Sequence, residues 1–143
     1  MKFSIRPVHP QDCRDIERMI RELAVYEKMA DRMKITYEGH SVVGYTLYFY
    51  TYNTWSGRCV YMADLYVMPD FRGKGIGKAL LASVAKVCSE QQCARLQFSV
   101  LKWNKFSLDF YLSKGAQDLI DAECWRFICF DGEALENLTL EAP

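Results

Sequence analysis

The sequence predicts a single α+β domain over residues 1–143, with helices packed against one sheet. Three observations predict it. The chain of 143 residues is half apolar, which suffices for one buried core but is short for two domains. Segments with helical spacing interleave with strand-like segments rich in valine and tyrosine. No repeat, low-complexity tract or linker interrupts the series, so all of these elements belong to one domain.

The first elements are a short strand and a helix. Residues 3–6 alternate between apolar and polar side chains before Pro7, which predicts a strand closed by the proline. Asp12 and Asp15 provide a cap and a first-turn carboxylate for a helix that runs to about Lys28. The apolar face of this helix recurs at helical spacing in Ile16, Met19, Ile20, Leu23 and Ala24.

The middle of the chain predicts an antiparallel hairpin followed by a helix. The runs 42–52 and 59–67 are rich in β-formers, and the polar turn Asn53–Gly57 separates them. After Pro69 comes a glycine-rich turn at residues 70–77. A helical pattern then begins, with one face formed by Ile76, Leu80, Leu81, Val84 and Cys88.

The last third predicts a strand, a helix and a final strand. Apolar side chains alternate from Leu96 to Val100, as in a half-buried strand. Asn104 is a plausible cap for a helix that continues to Lys114 and is stopped by Gly115. The run 125–130 supplies the last strand.

Composition excludes several function classes. Lysine plus arginine equal aspartate plus glutamate at 18 each, so no overall positive field favours nucleic acid or a membrane surface. The six cysteines show neither a C-x-x-C pair nor zinc spacing, which indicates free thiols in a reducing compartment and no metal site. No apolar run has the length of a signal peptide or a spanning helix, so we expect a soluble, cytoplasmic protein.

The glycine turn is the strongest chemical signal. Gly73, Gly75 and Gly77 lie on alternate residues where a helix begins. This spacing lets successive backbone amides point at one anion, and the helix dipole adds partial positive charge. Arg72, Lys74 and Lys78 surround these glycines and would suit a diphosphate.

Two familiar phosphate motifs do not match this turn. A P-loop would require glycine where Arg72 lies, five positions before Gly77, and serine or threonine where Ala79 lies. A dinucleotide fingerprint would require glycine in place of Lys78. The strand before the turn would also have to open a βαβ unit, whereas here it closes a hairpin. Neither a nucleotide triphosphatase nor a dinucleotide enzyme follows.

The remaining pattern, R-x-x-G-x-G at Arg72, Gly75 and Gly77, resembles the GCN5-related N-acetyltransferase superfamily. Several flanking segments are similar to its spermidine/spermine (diamine) and thialysine acetyltransferase branch, including Glu22-Leu23-Ala24 and Tyr26-Glu27. The others are Val67-Met68-Pro69-Asp70-Phe71-Arg72-Gly73, Trp103-Asn104, Phe110-Tyr111, Gly115-Ala116 and Glu123-Cys124-Trp125-Arg126. The resemblance implies a mixed, mostly antiparallel twisted sheet flanked by helices, and transfer of an acetyl group from acetyl-CoA to a primary amine of a small molecule.

The same resemblance assigns the coenzyme site. The backbone of Leu65, Tyr66 and Val67 would pair with the pantetheine arm. The turn would hold the pyrophosphate through Arg72, Gly73, Lys74, Gly75, Ile76, Gly77 and Lys78. The segment Asn104, Lys105, Phe106 and Ser107 would complete the site, although Asn104 is explained equally well as a helix cap.

It also assigns the chemistry and the amine site. Tyr111 matches the family's proton donor, and a phenol can protonate a departing thiolate of comparable basicity. The carboxylate that the family uses to bind and deprotonate the amine is absent, because Ala63 takes its place in the strand before the turn, and Asp64 beside it would act alone. Acidic and aromatic residues suit polycations, and the matching positions are Tyr26, Glu27, Trp55, Ala63, Gln97, Phe98, Ser99, Glu123 and Trp125.

Two departures from the family pattern matter. The strand before the turn usually carries Glu-Asp, whereas this chain has Ala63-Asp64. Between Thr36 and Gly39 the chain also lacks the family's usual second helix and second strand. These departures motivate a rival hypothesis, a catalytically impaired CoA-binding or dimerisation module. The resemblance further implies a homodimer. The balanced charge and the lack of a long apolar run argue against nucleic acid and membrane as partners.

Overall fold

The computed structural model describes residues 3–27 and 42–143. These fall into two compact units, one ending at Leu101 and the other running from Lys102 to Pro143. The assignment of residues 1–143 to one domain remains a prediction.

The described part of the first unit contains a three-stranded mixed sheet and two helices. Helix α1 (Cys13–Glu27) precedes the hairpin strands β1 (Gly44–Asn53) and β2 (Gly57–Val67), and helix α2 (Ile76–Glu90) leads to the short strand β3 (Leu96–Gln97). Short 3₁₀ turns at Pro10–Asp12 and Pro69–Phe71 precede the two helices. In the sheet order β1-β2-β3, the first pair is antiparallel and the second parallel. The predicted α+β class, hairpin and two helices are confirmed.

The helices cover opposite faces of the sheet. Met19 of α1 is fully buried against Tyr45 and Tyr66, whereas Ile76 and other residues of α2 pack against Val67. Tyr66 and Val67 are consecutive in β2, and consecutive strand residues point to opposite faces. A further cluster joins Val84 of α2 to the buried β2 residues.

A β-bulge at Ala63 interrupts this alternation. Leu47 pairs with Asp64 while Tyr48 pairs with Met62, so Ala63 has no partner across the β1–β2 pair. Before the bulge, the even-numbered residue Met62 packs against α2. After Ala63, the odd-numbered residues of β2 pack against α2, beginning with Leu65. The bulge thus places Asp64 on the same face as Tyr66, toward α1.

Two expected strands and one strand length are wrong. Residues 3–6 are not a strand, because among the described residues β1 pairs only with β2 and leaves no ladder beside them. Residues 125–130 also form no strand, since the described part of the second unit contains helices only; Phe127 is 93% exposed. β3 ends at Gln97 and not at Val100. The bulge in β2 follows closely after the Tyr61–Gln97 pair and bends β2 away from a straight ladder.

The start of α1 also differs from expectation. Asp12 does not serve as the predicted cap. Its carboxylate turns back toward the preceding segment, where it accepts hydrogen bonds from Arg6 at 2.6 and 2.9 Å and from the His9 amide at 2.8 Å. These contacts, with Arg6 first, hold the pKa of Asp12 well below its usual range. The helix is confirmed as far as Glu27, and the predicted end at Lys28 lies outside the described residues.

The second unit consists of α3 (Lys105–Ser113), α4 (Leu119–Glu123) and α5 (Gly132–Thr139). α3 was predicted, and its ends agree: the Asn104 side chain accepts from the Ser107 amide, and Gly115 has a left-handed φ of 95° just after the helix. α4 and α5 were not predicted. None of the helices in the described ranges combines the length and apolarity needed to cross a bilayer.

Candidate active site

One edge of β2 is open beyond its first residues. β1 pairs along the other edge, whereas β3 pairs only with Val60 and Tyr61. Residues 62–67 therefore lack a strand partner on the β3 side within the described chain. The Val67 carbonyl accepts from Arg72 Nε at 2.7 Å, while the next amide, of Met68, donates toward β1. By alternation the polar backbone groups of Leu65 face the same open edge as the Val67 carbonyl, so this edge can bind an extended ligand.

The glycine turn connects this edge to α2. Gly73 and Gly75 have left-handed φ values of 76° and 84°, and Gly75 is the residue that precedes the first turn of α2. A Cβ atom built on either glycine meets nothing within 4 Å. The first-turn amides of α2 have no carbonyl within the helix to bind and carry the positive end of the dipole. The turn therefore fits an anion such as a diphosphate.

Gly77 has a different role from the other two glycines. It lies inside the first turn of α2, and a Cβ atom there would contact Val67 Cγ2 at 3.7 Å. Its Cβ position faces the sheet and not open space. The sequence predicts the same role for all three glycines, whereas the backbone conformation requires glycine only at Gly73 and Gly75.

Of the basic residues near the turn, Arg72 makes contacts with other groups of the protein. Besides the Nε hydrogen bond to Val67, its guanidinium carbon lies 5.5 Å from the Tyr66 ring centroid. Arg72 therefore links the turn to the end of β2. Lys74 Nζ lies 5.5 Å from the Phe71 ring, and Lys78 is exposed. These two lysines are the cations placed to reach an anion at the turn.

Asp64 accepts hydrogen bonds from two residues of β1. The Tyr45 hydroxyl donates to Asp64 Oδ2 at 3.2 Å, and the Thr46 hydroxyl donates to the Asp64 carbonyl at 2.9 Å. Ala63 beside it is exposed at the bulge and adds no carboxylate. Asp64 is thus the acidic side chain that this part of β2 offers to an amine.

The same face carries a polar network that sequence reasoning missed. The buried Tyr66 hydroxyl donates to Glu22 Oε2 at 2.7 Å, and Glu22 forms an ion pair with Arg18 at 3.4 Å. Burial, and then the bond to Glu22, raises the pKa of Tyr66 well above its usual value. Tyr66 therefore remains a fixed donor. The signal available in the sequence was the opposite charge of residues 18 and 22, spaced i, i+4 beside the apolar face of α1.

In the second unit, α3 carries the predicted acid. Tyr111 is half-buried, and burial raises the pKa of its phenol above the usual value. The phenol is therefore protonated at neutral pH and is a weaker acid than an exposed tyrosine. At the start of α3, Lys105 and Phe106 are exposed and the Asn104 side chain caps Ser107 at 3.4 Å. The cap explains Asn104 without a ligand, and a coenzyme role for residues 104–107 remains a prediction.

The predicted amine-binding residues are distributed as follows. Gln97 ends β3, Phe98 follows it, and the Ser99 hydroxyl hydrogen-bonds the Tyr61 hydroxyl at 2.9 Å. In the second unit, Trp125 Nε1 donates to Glu123 at 3.3 Å, so these two predicted residues are adjacent.

The structure separates Trp55 from Asp64. Trp55 lies in the hairpin turn and is 89% exposed, roughly 20 Å along β2 from Asp64 at about 3.3 Å per residue. Tyr26 and Glu27 belong to the last turn of α1, and their side chains are outside the described part of the structure. Among the described residues, no three histidine, cysteine or acidic side chains are grouped so that they could hold a metal ion.

Comparison with known proteins connects this arrangement to a family. The sequence profile of the acetyltransferase (GNAT) family matches residues 5–116. Thialysine N-epsilon-acetyltransferase of Bos taurus is 40% identical over 94% of this chain and 95% of its own length. The protein of that name from Caenorhabditis elegans is 30% identical over 97% of this chain and 98% of its own. A spermidine/spermine N(1)-acetyltransferase-like protein of Homo sapiens is 31% identical over 97% of this chain and 24% of its own.

The alignment lengths bear on the expected missing segment. The match to the bovine protein spans 162 positions, whereas this chain has 143 residues, so at least 19 aligned positions have no residue here. The place where this chain is predicted to be shorter, after Thr36, lies outside the described residues.

Solved structures match at the level of the fold. A transcriptional regulator from Bacillus halodurans superposes with a TM-score of 0.70 at 18% identity, over 90% of this chain and 99% of that one. An aminoglycoside N-acetyltransferase in complex with CoA superposes with a TM-score of 0.66 at 18% identity, over 90% and 98% of the two chains.

Proposed function

The chain belongs to the acetyltransferase (GNAT) family, and from this premise we propose that it moves the acetyl group of acetyl-CoA to a primary amine of a small molecule. The substrate class is a polyamine, such as spermidine or spermine, or a thialysine-like amino acid. The observation that carries the proposal is the turn at Gly73 and Gly75, which opens the start of α2 beside the edge of β2 that has no strand partner among the described residues.

Acetyl-CoA would bind along this edge and turn. The pantetheine arm would hydrogen-bond the backbone of residues 65–67, in the manner of an added strand. The pyrophosphate would accept hydrogen bonds from the amides of residues 73–78 and pair with Lys74 and Lys78. The open space above both left-handed glycines supports this placement. Residues 104–107 would contribute as a second segment with free first-turn amides.

The reaction requires three proton movements. The ammonium of the substrate must lose a proton before its nitrogen attacks the thioester carbonyl. The C–N bond then forms and the C–S bond breaks, the nitrogen loses a second proton as it becomes the amide, and the departing thiolate takes up one proton. We assign the first proton to Asp64, acting directly or through water. We assign proton donation to the thiolate to Tyr111, whose burial keeps the phenol protonated at neutral pH.

The amine would be recognised by acidic and aromatic side chains. Asp64 and the adjacent pair formed by Glu123 and Trp125 support this chemistry. Gln97, Phe98 and Ser99, together with Tyr26 and Glu27, are the further residues that we propose for this role. The relatives at 40% identity are named for thialysine, which favours an amino acid with a side-chain amine over a longer polyamine.

The rival is a CoA-binding or dimerisation module with impaired catalysis. It is supported by Ala63, which removes a carboxylate beside Asp64, and by the 19 or more positions that the bovine relative has in addition. A homodimer is proposed under either function, since the apolar side chains of Leu47 and Phe49 on β1 are each about half exposed. We also propose a cytoplasmic location, supported by six free thiols.

A thiol-release assay distinguishes the two functions. The protein is incubated with acetyl-CoA and each of spermidine, spermine, thialysine and lysine, and free CoA thiol is measured over time. We expect release that depends on the amine and is fastest with thialysine. Saturable acetyl-CoA binding by calorimetry without thiol release over the whole panel would favour the module. No binding of acetyl-CoA to the folded protein would overturn both functions.

A further inference from the structure

Two consecutive residues of β1 hold Asp64 at two separate points. Tyr45 donates to the carboxylate Oδ2 at 3.2 Å, and Thr46 donates to the backbone carbonyl at 2.9 Å. Side chain and main chain of one acidic residue are thus both fixed by the neighbouring strand, at the position where β2 carries its bulge.

We propose that Tyr45 is a positioning residue for the amine: it fixes the Asp64 carboxylate so that Oδ1 meets the substrate ammonium. This inference rests on the proposed function, in which Asp64 binds the amine. It adds a residue that neither the sequence motifs nor the family resemblance singled out.

The packing of Tyr45 makes it a rigid donor. Its side chain is only 5% exposed and belongs to a buried cluster with Met19 and Met68. The ring centroid lies 6.3 Å from that of Tyr66, whose own hydroxyl is held by Glu22. A ring buried on this scale cannot turn its hydroxyl away without opening the core, so the bond to Oδ2 has a fixed direction.

The bulge makes this contact possible. With the extra residue Ala63, Asp64 lies opposite Leu47 and on the face of Tyr66, which is also the face of Tyr45. The Thr46 hydroxyl binds the Asp64 carbonyl, which holds the irregular backbone in this register. Removing the bulge would move the Asp64 side chain to the α2 face.

The arrangement leaves one oxygen for a ligand. Among the described residues, Oδ2 accepts from Tyr45 and Oδ1 has no hydrogen-bond partner, while Asp64 is partly exposed. With the carboxylate fixed through Oδ2, Oδ1 keeps its lone pairs for a charge-assisted hydrogen bond from a primary ammonium.

The test compares Tyr45→Phe with the parent by steady-state kinetics. Phenylalanine keeps the ring in the core and removes only the hydroxyl. We expect the KM for the amine to rise about tenfold, as for loss of one hydrogen bond to a charged group, while the Kd for acetyl-CoA stays within twofold. The matched control is Tyr52→Phe in the same strand, 78% exposed, which should leave both constants unchanged.

A double-mutant cycle with Asp64→Asn separates this inference from the proposed function. Asp64→Asn alone should raise the amine KM, and adding Tyr45→Phe should then have little further effect. An unchanged amine KM in Asp64→Asn would overturn the proposed role of Asp64. A raised KM in Asp64→Asn with an unchanged KM in Tyr45→Phe would overturn the positioning role alone, as would a full tenfold effect of Tyr45→Phe in the Asp64→Asn background.

Discussion

Substituting Gly75 tests the turn on which acetyl-CoA binding is proposed to depend. Gly75 has φ of 84° at the start of α2, a conformation that costs other L-residues about 1–2 kcal/mol. A Cβ atom meets no neighbour there, so Gly75→Ala should lose only this amount, with Tm lower by roughly 4–8 °C. Gly75→Asp adds a negative charge beside the first-turn amides of α2, which offsets part of the strain, because aspartate tolerates left-handed backbone better than alanine and a carboxylate is favourable at a helix start.

Gly75→Asp should therefore be at least as stable as Gly75→Ala, and the two variants should differ in binding. We expect acetyl-CoA affinity to fall less than tenfold in Gly75→Ala and more than 100-fold in Gly75→Asp, because an anion repels the diphosphate and competes for its amides. Calorimetric titration and thermal unfolding of the same samples give both quantities. Gly77→Ala is the control: its Cβ atom would make an ordinary 3.7 Å contact with Val67, so Tm should not fall. A folded Gly75→Asp protein that binds acetyl-CoA within threefold of the parent would refute the pyrophosphate site.

Three further predictions concern single side chains. Tyr111→Phe should lower kcat by about 10² to 10⁴ with acetyl-CoA affinity unchanged. Burial raises the pKa of the phenol, so the parent's kcat should decline only above the usual titration range of a tyrosine. Equal turnover in both proteins would remove this tyrosine from the mechanism. Ala63→Glu should increase kcat/KM for the amine, whereas Ala63→Gln should not, because the gain comes from negative charge beside Asp64; inactivity of the parent and both variants would favour the binding module. Asp12→Asn should lower Tm at pH 7. The difference in Tm from the parent should shrink below about pH 4, because Arg6 depresses the pKa of the native carboxylate, and protonation of this carboxylate removes its contribution to stability. A constant difference in Tm down to pH 2 would contradict this reasoning.

The hairpin, the two long helices and the glycine turn could be predicted because their signals are local. β-formers flank a polar turn, where the Asn53 side chain accepts from the amides of Trp55 and Ser56 and Gly57 takes a left-handed φ of 84°. Helical spacing in α1 and α2 reflects the one face that each buries on the sheet. In these elements sequence-local preference and tertiary packing agree.

The predictions that were wrong concern segments whose structure depends on a pairing partner elsewhere in the chain. Alternation at residues 3–6 and the apolar run at residues 125–130 are compatible with strands, but a strand also requires a neighbour, and neither pattern specifies one. The bulge at Ala63 has no sequence signature, yet it decides that Asp64 points to the face of Tyr45. Glu22 and Tyr45 could not be assigned roles for the same reason, because their partners lie 44 and 19 positions away in the chain.

The short junction between β2 and β3 has a consequence for the cooperativity of unfolding. Two residue pairs join these strands across the whole of α2, whereas the hairpin pairs ten positions of β1 in sequence-local contacts. The hairpin can therefore form early in folding. The pairing between β2 and β3 is the least stable part of the sheet and can open by sub-global unfolding. A ligand lying along the vacant edge of β2 would act as a surrogate strand. Its binding energy would add to the stability of the native sheet, by about 2.7 kcal/mol at a concentration of 100 Kd.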